Sequence, residues 1–133
     1  MGSRGSAMTT ITRKVTLDDL RALLDDPPRA NVAWVEGDDV RAAPVLFRRI
    51  EGRYWIGTRS NESAALPTGG SSIVLLVDDG YLYFDLRGAR ITGVTARPES
   101  LPPALDRDAA WLEVLVERST AWHYGTLRKR DLS

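Results

Sequence analysis

Val40-Arg41-Ala42-Ala43-Pro44-Val45-Leu46-Phe47-Arg48-Arg49-Ile50 reads as one long strand with a proline inside it. Proline has no N–H to give to a β-ladder, so Pro44 marks an edge, a bulge, or a place where the strand changes partners. The flanks support a strand here. Upstream, the short apolar segment 31–36 runs into Gly37-Asp38-Asp39, a hairpin signal. Downstream, Glu51-Gly52 is a second turn, and 53–58 carries Tyr54, Trp55 and Ile56 at strand propensity.

The pattern continues outward. Residues 72–78 form a strongly apolar strand, Asp79-Gly80 a turn, and 81–87 an alternating strand. Gly88 leads into a further strand at 89–96, and 105–110 has room for one helical turn. Segment 111–122 mixes two-residue alternation with helical spacing; Val114, Val116, Thr120 and Trp122 favour the strand. Toward the N-terminus, Thr16 and Asp19 make a capping box and Val15 and Leu20 a hydrophobic staple. Leu17, Leu20, Leu23 and Leu24 then share one helical face, until Pro27 and Pro28 stop the helix. One helix followed by six or seven closely spaced strands predicts a mainly β, antiparallel barrel or sandwich.

Bulk composition narrows the function. The chain has 133 residues, 43% apolar and 27% charged, which suits one globular domain. Lys and Arg total 18, as do Asp and Glu, so no net field gathers nucleic acid or an anionic membrane. No apolar run reaches the length of a membrane span. The absence of cysteine excludes disulfides and thiol catalysis, and the single His123 excludes a His-rich metal site. Residues 1–8 read as a cloning remnant ahead of a single domain at 9–133, with the cytoplasm as the expected location.

No P-loop, Rossmann fingerprint or nucleophile elbow is present. Two stretches and one cluster are candidates for chemistry. In the first stretch, Thr58, Arg59, Ser60 and Asn61 end the strand that follows the Pro44 segment; small polar groups beside arginines hold phosphates. An ordinary hairpin with solvated arginines is the plain alternative. The second stretch holds Asp85 and Arg87 at i and i+2, able to pair with each other or with a neighbour. The cluster is Trp122-His123-Tyr124, whose rings suit a flat heterocycle and equally a core or dimer contact.

Taken in order, the N-terminal helix, Ala43-Pro44-Val45-Leu46-Phe47, Tyr54-Trp55-Ile56-Gly57-Thr58, the segment from Asp85 to Gly93 and Ala121-Trp122-His123-Tyr124-Gly125 resemble the pyridoxamine-5′-phosphate-oxidase-like family. The resemblance spans 16–127 and implies a six-stranded antiparallel split β-barrel with an N-terminal helix, dimeric, with flavin mononucleotide (FMN) or the deazaflavin F420 at the subunit interface. It implies a ring lying against Pro44, Val45, Leu46 and Phe47, with backbone N–H groups of Val45 and Phe47 meeting its polar atoms. It implies a phosphate held by Arg48 with Thr58, Arg59, Ser60 and Asn61, and Trp122 near the cofactor. The family's phosphate-binding lysine has no counterpart among Glu62, Ser63, Ala64 and Ala65, and the C-terminal substrate segment of the vitamin B6 oxidases is missing.

The expectation is an oxidoreductase that moves a hydride between its flavin and a small organic substrate. His123 and Tyr124 are the candidate proton donors. A flavin- or haem-binding protein without turnover, or a flavin-free protein on the same scaffold, is the alternative, because fold does not fix function.

Overall fold

The computed structural model describes residues 20–27, 29–59, 66–80 and 87–123. A short helix, α1 (Arg21–Asp25), precedes seven strands: β1 (Arg29–Glu36), β2 (Asp39–Pro44), β3 (Leu46–Ile50), β4 (Arg53–Arg59), β5 (Ser72–Asp79), β6 (Arg87–Ala96) and β7 (Ala109–His123). They form one antiparallel sheet in the order β2-β1-β5-β6-β7-β4-β3. The two strands at its edges, β2 and β3, are neighbours in sequence with only Val45 between them. That link curls the sheet into a half-barrel, and Val45 N–H donates to Ala30 O (2.9 Å) to anchor it.

The strand expected at 40–50 is therefore two strands, and the described residues form seven strands, within the six or seven read from the sequence and one more than the resemblance implies. Pro44 ends an edge strand at the point where the chain trades partner β1 for partner β4. The single helical turn expected at 105–110 is absent; these residues form turns and the start of β7. The capping residues Val15, Thr16 and Asp19, Leu17 of the helical face, and most of the strand expected at 81–87, lie outside the described residues.

A five-residue helix is not stable alone. Here α1 is held by packing: Leu20, Leu23 and Leu24 are buried in the main core, each contributing about 1.5–3 kcal/mol. Arg49 of β3 ties it down through Asp25 (2.7 Å). The core behind it alternates as pleated strands require, with Val32 and Trp34 from β1, Ile73, Leu75 and Val77 from β5, and Ala89 and Ile91 from β6.

Strand β7 owes its mixed sequence pattern to a bulge. Thr92 pairs with Arg118 while Gly93 pairs with Val116, so Glu117 is an extra residue. Leu112 and Val114 face the core, Leu115 takes the outer face in the same alternation, and Val116, next to the bulge, is exposed as well.

At the β4–β7 seam, Arg53 donates twice to the Glu113 carboxylate (2.9 and 2.7 Å), and its guanidinium sits 4.9 Å from the centre of the Trp55 ring. The hydrogen bond from Arg53 holds the Glu113 carboxyl below its usual range, against a smaller opposing effect of burial. A lowered folded-state value gives stability that is full above the ordinary carboxylate range and is lost as pH falls through the lowered value. Glu113→Gln is expected to lower the thermal midpoint at pH 7, with the gap from the parent closing toward pH 3. Thermal unfolding followed by circular dichroism across that range checks it.

Candidate functional site

The switch at Val45 leaves a hollow beside the sheet. Side chains of β3 and β4 alternate across it. Phe47, Tyr54 and Ile56 join the main core, where the Phe47 and Tyr54 rings meet edge-on at 5.8 Å. Leu46, Trp55 and Gly57 belong to the opposite face, with Leu46 directly across from Gly57. That face has its own small core. Trp55, Trp111 and Leu105 are buried together, with Leu101 and Leu105 supplied by the segment between β6 and β7.

Trp111 is fixed from two sides. Its ring lies on Gly57, where an added Cβ would come within 2.6–2.8 Å of three ring atoms. Its indole N–H donates to Asp106 O (2.8 Å). The ring, together with Val45, Leu46, Phe47, Arg48 and Arg59, lines a pocket of about 310 Å³ completed by Asp26, Pro27, Ala30 and Asp106. This is the lower end of the size range of small-molecule sites. Arg48 and Arg59 make no hydrogen bond or ion pair among the described residues, whereas Arg29, Arg49, Arg53 and Arg87 are all engaged with carboxylates. Two unengaged guanidinium groups beside a fixed aromatic wall suit an anionic group attached to a flat ring.

The structure thus brings together Val45, Leu46, Phe47, Arg48 and Arg59. It corrects one detail. The Val45 N–H, expected to meet a ring, is already donated to Ala30 because the strand switch needs it. Pro44 ends β2, exposed and opposite Asn31; Thr58 is half-buried opposite Ala110. Trp122 packs on Gly88, and His123 stands opposite Arg87, both at the far end of β7 from Trp111. Within one chain Trp122 does not line this pocket. Ser60, Asn61, Tyr124 and residues 62–65 lie outside the described residues, as does Asp85.

Arg87 takes a neighbour as its partner. It bonds Asp79, directly across on β5, at 3.0 Å. Arg87 and then the Gly80 N–H hold the Asp79 carboxyl below its usual range. Sequence reasoning missed Trp111 and Asp106 as pocket residues. The only signal was a glycine facing a tryptophan, visible once the β4–β7 register pairs Gly57 with Trp111. Gly57→Ala is expected to push Trp111 off its seat and destabilise the fold by about 1–3 kcal/mol, as overpacking does. A denaturant titration followed by tryptophan fluorescence measures both effects.

No family model and no curated protein matches the chain. Solved structures do. A conserved hypothetical protein from Mycobacterium tuberculosis superposes with a TM-score of 0.64 at 14% identity, covering 86% of this chain and 88% of that one. An FAD-binding protein from Mycobacterium smegmatis gives 0.58 at 16% identity, covering 82% and 95%. A candidate pyridoxamine 5′-phosphate oxidase from Listeria innocua gives 0.56 at 13%, covering 80% and 95%. With its sheet closed on itself at Val45, this chain has the split-barrel fold of the pyridoxamine-5′-phosphate-oxidase-like proteins.

Proposed function

We propose that the protein binds a flavin, FMN in the first instance, and uses it in an oxidoreductase reaction on a small organic substrate. The observation that carries this reading is the pair Arg48 and Arg59, unengaged among the described residues, beside the Trp111 ring. Proteins with the same fold include FAD-binding ones from Mycobacterium smegmatis and Mesorhizobium loti. In the proposed complex, Arg48 and Arg59 hold the phosphate in place of the family's lysine. Trp111 and Leu46 give the ring an apolar wall and exclude water from it. The flavin, when bound, supplies the hydride chemistry; the protein supplies position and electrostatics.

Titration with FMN, read by the shift of its visible spectrum, is the test. Arg48→Ala and Arg59→Ala are each expected to weaken binding by about 1–2 kcal/mol, the value of a charge-assisted bond to phosphate. FAD, F420 and haem are titrated in parallel. Uptake of F420 alone moves the protein to deazaflavin chemistry. Failure to take up any of the four removes the redox reading, and flavin uptake without flavin reduction by any donor leaves a binding protein.

The second part of the proposal is a homodimer. Val35 and Val40 face each other across β1 and β2 and are 67% and 77% exposed. Val74 and Leu76 on β5 and Leu115 on β7 extend this apolar surface along the outer face of the sheet. A contiguous exposed apolar face marks an interaction surface, and a second copy brings the same face to it. Val74→Glu is expected to give a monomer of unchanged secondary structure in sedimentation equilibrium. An unchanged mass for this variant would place the interface elsewhere.

A further inference from the structure

We infer that a second chamber, sharing Trp111 as a wall with the first, is a binding site for a flat organic acid, with Arg97 as the group that holds the acid. The chamber has a volume of about 340 Å³, and its walls include Leu66, Pro67, Pro98, Leu112 and Trp111, with Arg97 the one charged side chain. Apolar walls with one cation select a ligand that is mostly ring and carries one negative charge. Arg97 makes no hydrogen bond or ion pair among the described residues, so its donors are open to a carboxylate.

The chamber is built to be rigid. Its loop, residues 66–71, is clamped by Thr95, the one buried polar side chain of the described core. The Thr95 hydroxyl donates to Thr68 O (2.8 Å) and accepts from Ser71 N–H (3.1 Å). Backbone bonds from Gly70 N–H to Thr95 O and from Thr95 N–H to Ser71 O (2.7 and 2.9 Å) complete the clamp. A hydroxyl in a core is costly unless it is satisfied; here it fixes the loop against the end of β6, which Arg97 directly follows. The Arg97 stem crosses Gly69, where an added Cβ would stand 3.2 Å from its Cγ. Loop and aromatic wall are thereby held in one arrangement before any ligand arrives, which lowers the entropic cost of binding, and the stem of Arg97 rises beside them with its guanidinium exposed.

The binding claim stands on these residues alone. Its meaning as a substrate chamber beside the cofactor rests on the flavin reading above. The test is a two-dimensional NMR titration of the ¹⁵N-labelled full chain with 1-naphthoate, and with 1-naphthylmethanol as the neutral ring of the same shape. Naphthoate is expected to shift the Trp111 indole N–H and the Arg97 Nε–H. The alcohol binds more weakly, and Arg97→Ala weakens naphthoate roughly five-fold to ten-fold, to the level of the alcohol. Arg97→Lys retains part of the affinity. Equal affinity for acid and alcohol, equal affinity in Arg97→Ala, or shifts confined to other residues would overturn the proposal. Arg97→Ala is expected to leave FMN affinity unchanged. Naphthoate binding in a protein that takes up no flavin supports the chamber and removes only its role beside a cofactor.

Discussion

The chain passes from one edge of its sheet to the other through a single residue, Val45, pinned by its N–H to Ala30 O. Two strands consecutive in sequence must lie close in space, yet these two occupy opposite ends of a seven-strand order. Both facts hold only if the sheet curls on itself. The half-barrel and the hollow beside β3 both follow from that one link. Pro44 fits the position because an edge strand that is ending has no further ladder bond for it to break.

The candidate site lies outside the main core for a related reason. Once β3 and β4 commit Phe47, Tyr54 and Ile56 inward, Leu46, Trp55 and Gly57 are left on the other face and need cover. The segment between β6 and β7 supplies it with Leu101 and Leu105, and the start of β7 with Trp111. Packing that covers the back of the barrel thus also builds the wall of both chambers. Stability and recognition share Trp111, so its seat on Gly57 bears on each.

Much of the fold was legible in the sequence because turns and alternation are local signals. The hairpins at Gly37 and at Glu51-Gly52 and the strands that follow them could be read in place, and Pro44 could be read as an edge, a bulge or a partner change without deciding among them. The break at Val45 could not, since only the competition between β1 and β4 as partners sets it. The bulge at Glu117 explains why β7 looked ambiguous: a phase slip in the middle of a strand mimics loss of strand period. Of the site, the residues near Pro44 were legible through chain order. Trp111 and Arg97 were not, because their neighbours are set by register and by a loop folding back, and neither leaves a pattern along the chain.

The strand order also has a consequence for biosynthesis. The first half of the sheet, β1 to β4, flanks the β5–β6–β7 meander on both sides. Contacts that join the halves span long stretches of chain, 49 residues for Arg29 with Asp78 and 60 for Arg53 with Glu113. Loop closure of that length must precede its reward, which slows folding. While the ribosome is still making the meander, β1 and β4 each present an unpaired edge. The covalent link presents the chain's own meander to both edges at high effective concentration, and once it is in place the only edges left in the sheet of the described residues are β2 and β3.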